Sequence, residues 1–395
     1  MTTGPLEGIR VLELTHAWAG PYCGMMLGDM GAEVIKVESP RQVPEARGGY
    51  PYVNNESVIF MMLHRNKKSL TLDLKNPKGK AIFHDLVRTS DVLIQNFRPG
   101  VVQKLGLDYQ HLKEINPGLI YANLSGYGTT GPKSDLPGVN MIALAESGLA
   151  STTISEGRAP EPLGYALCDV VASMWTAFGI LSAYIRREKT GRGQEVDMSL
   201  LEAGVSLMFS PVAQHYYGAK DWVALNRRND ANAPAGFFKT RDGSYVAVFA
   251  SYPALWERFI EAMGVQHLAS DPRFVSRNKR TANSPVLHEI MGEIFATEDT
   301  DHWVELLTKA GVPTAPVRTA GQMVENDQVL ARDLIVDQEH PTAGPIRVIG
   351  VPVKLSETPG KVRTPAPLLG EHTREIVASL GHGDELEALE KSGVI

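Results

Sequence analysis

Two cysteines in 395 residues, Cys23 and Cys168, are too few for a disulfide framework or a four-thiolate metal site. There is no excess of basic charge either. With 39 Lys and Arg against 45 Asp and Glu the formal charge is −6, and both signs are scattered along the chain, so no field exists to hold a nucleic acid or an anionic membrane. The longest mostly apolar stretch, Val170 to Ala183, is interrupted by Ser173, Thr176 and Ser182 and is shorter than the ~20 residues of a membrane span. The opening MTTGPLEGIRVLEL lacks the basic segment, apolar run and small-residue cleavage site of a secretory leader, so the expectation is a cytoplasmic protein. The 11 histidines include no HExxH or other ligand spacing, and no metal is expected. Disorder-prone acidic or Ser/Gln-rich tracts are absent as well. What remains, 43% hydrophobic and 21% charged residues, is the composition of a globular chain of two or three domains.

Short β-branched runs alternate with helix-like segments through the first 200 residues, the rhythm of βαβ units on a parallel sheet. The predicted strands are Ile9 to Thr15, Glu33 to Glu38, Ser69 to Leu74, Asp91 to Phe97 and Leu119 to Gly126. Helical spacing marks Gly20 to Met30 and Pro77 to Thr89, and the most helical segment runs from Asp169 to Lys189 before the stop TGRGQ. A strand, EVDMSLL, and a further helix follow. Phe237 to Phe249 then reads as a hairpin turning at Arg241-Asp242-Gly243 and leads into helical segments with Trp256, Met291 and Trp303. The expected organisation is a Rossmann-like α/β domain over residues 1–200 completed by 330–395, a linker helix over 201–225 and a small α+β domain over 226–325.

The string Gly126-Tyr127-Gly128-Thr129-Thr130-Gly131 spells GxGxxG after a strand, but Pro132, Asp135, Pro137 and Gly138 follow where a dinucleotide fingerprint needs a helix. A shaped loop is the better reading. No GxSxG elbow surrounds Ser125 or Ser199, and each cysteine, alone among apolar neighbours, reads as a small buried hydrophobe rather than a nucleophile. Asp169 opens the long helix, where free N–H groups and the helix dipole stabilise a carboxylate. By position alone it is equally a plain N-cap or a covalent nucleophile toward an activated acyl group.

Several strings, in order and nearly end to end, resemble the class III coenzyme A transferases, the formyl-CoA and carnitine CoA-transferase family. They are VLELTHAWAGPYCGMMLGDMGAEVIKVE, NKKSLTLDLKNPKGK, DVLIQNFRPG, LSGYGTTGP, the Asp169 helix with EKTGRGQEVDMSLLEA, GVPTAPV and PLLGEHT. The resemblance implies an interlocked homodimer, or a hetero-oligomer with a homologous subunit. It implies a CoA-transferase acting on an acyl-CoA and a carboxylic acid, with the coenzyme A thioester as substrate and no tightly bound cofactor. It also implies Asp169 as the nucleophile, acting through an acyl-aspartyl anhydride and an aspartyl-CoA thioester. The coenzyme-holding segments map onto Trp18 and Ala19, onto Leu72, Asp73 and Lys75, onto Asn96, Phe97 and Arg98, and onto Lys104. Lys75, Arg98 and Lys104 also suit CoA phosphates on their own chemistry, since they fall at or after predicted strand ends.

Asn140 falls where formyl-CoA transferases carry a glutamate, and an amide there can orient but carries no charge. Trp18 and Ser39 replace a glutamine and an arginine of those enzymes, and NDANAPAGFF replaces their glycine-rich lid. Formyl-CoA and oxalate are therefore poor guesses, and Arg47, Arg65, Arg227 and Arg228 make a dicarboxylate such as succinate the candidate partner. Two alternatives stand beside this reading. One is proton transfer like that of α-methylacyl-CoA racemases, which resemble this chain but have a histidine near where Leu136 to Asn140 lie; the other is a CoA-binding subunit of a hetero-oligomeric transferase.

Overall fold

The computed structural model describes residues 4–41, 47–153, 159–161, 163–218 and 232–395. The chain divides into two compact units. One comprises Met1–Ala150, Pro162–Phe209 and Asp327–Ile395, the other Ser151–Glu161 and Ser210–Asn326.

The first unit is built on six strands: β1 (Arg10–Leu14), β2 (Glu33–Glu38), β3 (Lys67–Thr71), β4 (Val92–Gln95), β5 (Ile120–Ser125) and β6 (Glu195–Ser199). Every neighbouring pair is parallel, in the spatial order β3-β2-β1-β4-β5-β6. That is the Rossmann strand order, with its reversal between β1 and β4. The central strands β1, β4 and β5 are buried along nearly their whole length because both faces are covered, whereas the edge strand β6 is exposed at alternate residues. On one face Val11, Val34, Val92, Ile94 and Ile120 pack with Cys23 and Leu27 of α1 (Ala19–Asp29) and Ile180 and Ala183 of α6 (Leu167–Thr190). On the other Leu12, Leu14, Ile35 and Leu70 pack with Ile82, Phe83 and Leu86 of α3 (Pro77–Arg88) and with Ile376, Val377 and Val394 from the end of the chain. The remaining helices used below are α2 (Val58–His64), α4 (Val101–Leu105), α5 (Asn140–Glu146) and α7 (Leu200–Val205).

Most boundaries differ from the sequence-based expectation by one to three residues, and two of the shifts bear on the site. Strand β3 starts at Lys67 rather than Ser69, because the Lys67 ammonium is buried in an ion pair with Glu13 instead of pointing to solvent. Helix α6 starts at Leu167, so Asp169 lies within the first turn rather than at the cap, and Ala166 occupies the cap position without a side-chain bond. At 24 residues α6 is also longer than the apolar stretch from which it was read, and is long and apolar enough to cross a membrane by length and composition. One side of it packs on α1, α5, α7, β5 and β6.

In the second unit β7 (Ala235–Lys239), β8 (Tyr245–Phe249) and β9 (Thr314–Pro316) form an antiparallel sheet, with Tyr245 opposite Lys239 across the Arg241-Asp242-Gly243 turn. Its core joins Phe238, Val246 and Val248 to Trp256, Phe259, Phe295 and Trp303.

The glycine-rich string after β5 forms a loop up to α5, and two of its glycines let backbones touch: a Cβ on Gly126 would stand 2.5 Å from Gly138 Cα. Gly126→Ala is expected to cost about 1–3 kcal/mol of overpacking, seen as a lower urea midpoint at unchanged slope.

Candidate active site

Parallel strands present all their carboxyl ends at one edge, and the crevice at the reversal between β1 and β4 is where such sheets take ligands. Trp18 and Ala19 follow β1, Leu72 to Lys75 follow β3, and Asn96 to Arg98 follow β4, with Lys104 in the short α4 beyond. The two central loops are joined: His16 N–H donates to Asn96 Oδ1 and Asn96 Nδ2 donates to His16 O, each at 2.8 Å, while the His16 ring meets Phe97 edge-on. Phe97 N–H donates to Gln95 Oε1. The third loop is pinned by Leu72 N–H on Glu38 O, Asp73 N–H on Val394 O and Lys75 N–H on Asp73 Oδ1. Leu72 and Ala19 are buried, whereas Trp18 is 37% exposed. The side chains of Lys75, Arg98 and Lys104 are exposed and none has a carboxylate within ion-pair distance among the described residues.

Asp169 reaches the same edge from the opposite direction. Helix α6 precedes β6 in the chain, so its N-terminus lies where the strands end. Two side chains fix that first turn. Asn140 Oδ1 accepts from Cys168 N–H at 2.9 Å, which spends the Asn140 amide on the helix start, and the Ser173 hydroxyl lies 2.6 Å from both Asp169 O and Ala19 O, linking α6 to the first residue of α1. Apolar packing closes the surroundings: Ala19, Leu124, Ala143, Leu144, Cys168 and Ala172 form one cluster there. Burial pushes the Asp169 carboxyl up to about 6, with no cation opposing it among the described residues. It remains largely ionised at neutral pH, poorly solvated and unneutralised, which is what a nucleophilic carboxylate requires.

Other candidates drop away. Burial raises the Cys168 thiol to about 11 and the Cys23 thiol further, so neither is a thiolate at neutral pH. Arg65 is buried in a two-point pair with Asp29, and Arg47 grips Glu38 through Nε and Nη2 and donates Nη1 to Pro367 O while lying over Phe60. Neither is available to a substrate carboxylate, contrary to the sequence-based expectation; Arg227, Arg228 and the Asn229 end of the lid segment lie outside the described residues. Ser173, read from sequence only as an interruption of an apolar run, is the connection the sequence did not reveal. Its one signal is a hydroxyl four residues after Asp169, back-bonded within the helix.

Residues 6–373 match CoA-transferase family III. The chain belongs to this family. It is similar to the succinyl-CoA:glutarate CoA-transferase of Mus musculus, 35% identical over 394 residues covering 99% of this chain and 90% of that one. The succinyl-CoA–D-citramalate CoA-transferase of Chloroflexus aurantiacus is 35% identical over 377 residues, covering 95% and 94%. Among solved structures, a CAIB/BAIF family protein from Brucella suis superposes with TM-score 0.86 at 30% identity, covering 96% of this chain and all of that one. The protein is thus a CoA-transferase, for which coenzyme A is part of the substrate and not a resident cofactor.

The raised Asp169 carboxyl has a stability consequence. Its native value, about 6, exceeds the ~3.9 of an unfolded chain, so between these values the native state binds more protons. The stabilisation from the neutral acid is complete below pH ~4 and is lost as pH rises through ~6. Asp169→Asn is therefore expected to match the wild type at pH 4 and to exceed it by about 2 kcal/mol at pH 8, measured by urea denaturation at both.

Proposed function

We propose that this transferase moves coenzyme A from an acyl-CoA to a free carboxylate, with Asp169 as covalent nucleophile and a small dicarboxylate such as succinate as one partner. The observation that carries the reading is a half-buried carboxylate in the first turn of α6, raised by burial with no cation against it among the described residues, at the edge where such sheets take ligands. Ionised Asp169 adds to the thioester carbonyl and expels CoA thiolate, leaving an acyl-aspartyl anhydride. The thiolate then attacks the aspartyl carbonyl, releasing the donor acid and leaving an aspartyl-CoA thioester. The acceptor carboxylate attacks that thioester, and the thiolate returns to the acceptor's carbonyl, regenerating the Asp169 carboxylate. No net proton or water is consumed, and each step keeps the acyl group activated as long as water is excluded.

Trp18, Ala19, Leu72, Asp73, Asn96 and Phe97 form the proposed walls for the coenzyme, and Lys75, Arg98 and Lys104 the proposed contacts for its phosphates. Asn140 orients the nucleophile's helix through Cys168 N–H. The dicarboxylate assignment draws on relatives whose names specify succinyl-CoA with glutarate or D-citramalate.

Intact-mass analysis after incubation with succinyl-CoA, with hydroxylamine trapping and peptide mapping, tests the chemistry. A label on Asp169 and its loss in Asp169→Ala are expected; turnover surviving in the variant overturns the mechanism. The acylation rate should fall on the acid side with a midpoint near pH 6, as the carboxylate takes up its proton. Lys75→Ala and Arg98→Ala should each raise the KM for acyl-CoA several-fold, an effect that shrinks as salt is added.

The outward side of α6 favours a homodimer. Met174, Phe178, Leu181 and Ile185, spaced four, three and four residues apart, form an exposed apolar stripe, with Trp175 beside it and Val205 exposed on α7. A second copy of the chain is the proposed cover. Phe178→Glu is expected to shift the protein to monomer in analytical ultracentrifugation.

A further inference from the structure

Beneath the turn between β1 and α1 lies a charged cluster with no contact to solvent. Glu13 is fully buried on β1, flanked by Lys36 of β2, Lys67 of β3 and His64 of α2, all buried. The Lys67 ammonium is 2.7 Å from Glu13 Oε2, 2.8 Å from Pro21 O and 3.1 Å from His64 Nδ1. Lys36 donates to Thr15 O at 2.8 Å and lies 3.3 Å from Glu13 Oε1, which also accepts from the Thr15 hydroxyl. Room for the carboxylate comes from a missing side chain: a Cβ on Gly24 of α1 would stand 2.0 Å from Glu13 Oε2.

Burying one carboxylate with two ammonium groups is costly, and burial correspondingly lowers Lys67 while His64 is held neutral. The cluster's contacts show where that cost is applied. The two ammonium groups hold the carbonyls of Thr15 and Pro21, on either side of Ala17, whose φ of +60° is a conformation that side chains seldom adopt. Such a turn persists only where its surroundings over-determine it. Two residues after Ala17, Ala19 O meets the Ser173 hydroxyl, and the same hydroxyl meets Asp169 O.

We propose that the buried Glu13–Lys67 pair and Ser173 together form a positioning device for Asp169: the pair seats the Ala17 turn and the start of α1, and Ser173 fastens the nucleophile's helical turn to that seat. The inference rests on the reading of Asp169 as nucleophile. None of these residues touches substrate. They set where the carboxylate stands relative to the loop that receives the thioester, and a displacement of a fraction of an ångström there slows the attack more than it weakens coenzyme binding, because only Trp18 and Ala19 of the proposed coenzyme contacts lie on that loop.

Ser173→Ala and the shape-conserving Glu13→Gln test it through amide exchange and single-turnover acylation by succinyl-CoA. In both variants exchange should quicken at least ~10-fold in residues 15–21 and 167–171 while β4 keeps its protection. In Ser173→Ala the acylation rate should fall about tenfold with a clearly smaller rise, about two- to threefold, in the half-saturating acyl-CoA concentration. The proposal is overturned if Ser173→Ala leaves both exchange and acylation within twofold of wild type, or if exchange rises equally in β4, which would mean general loosening. Should Glu13→Gln fail to fold, Ser173→Ala alone decides. If the wild type never acylates Asp169, the nucleophile reading fails, and the exchange result still decides whether the two segments are held together.

Discussion

All six strands of the large sheet run in one direction, and the site's geometry follows from that constraint. Parallel pairing sends every strand's carboxyl end to one edge and forces each connection to return across a face. Loops after β1, β3 and β4 therefore meet although their residues are far apart in sequence, and α6, which leads back into β6, begins at that edge. The reversal of strand order between β1 and β4 keeps their following connections from covering the space between them. The His16–Asn96 bonds join the loops after β1 and β4 at that edge.

Charge is divided within this frame. A cation against Asp169 would favour the ionised state and also blunt its reactivity, and the neighbour that caps its helix is the neutral amide of Asn140. The exposed cations Lys75, Arg98 and Lys104 stand on the loops around the crevice, suited to phosphates that remain charged throughout the reaction. In the proposed site, binding charge and reacting charge are thereby kept apart, so the coenzyme would be gripped without neutralising Asp169. The price is a carboxylate ionised in a poorly solvated place, a local instability that the surrounding apolar cluster and sheet must offset.

The parallel sheet and the Asp169 helix were legible because apolar runs and helical spacing are local properties of the chain. What escaped was set by distant partners. The third strand reads in sequence as starting at Ser69, yet Lys67 belongs to β3 because Glu13, more than fifty residues earlier, accepts its charge. The start of α6 was misplaced by two residues because its capping group is Asn140, 28 residues before Cys168, rather than a residue adjoining the helix. Arg47 and Arg65 looked free for a substrate for the same reason: nothing in one dimension shows that Glu38 and Asp29 already hold them. Composition gives no means of separating a structural arginine from a binding one when both pair with carboxylates.

Helix α6 joins the chemistry to the apolar surface. Its first turn carries Asp169, one side packs on α1 and the sheet, and its outward stripe runs from Met174, 5 residues beyond Asp169, to Ile185, 16 residues beyond it. A helix is stiff over that length, so pressure on the stripe is transmitted to the first turn unless something anchors it. Ser173 sits between the two, fully buried, tied to Ala19 O on one side and to the helix's own first turn on the other. The point at which the nucleophile's helix is fastened to the fold thus precedes the surface where a second chain would load it, and the carboxylate keeps its place while the rest of the helix carries the contact.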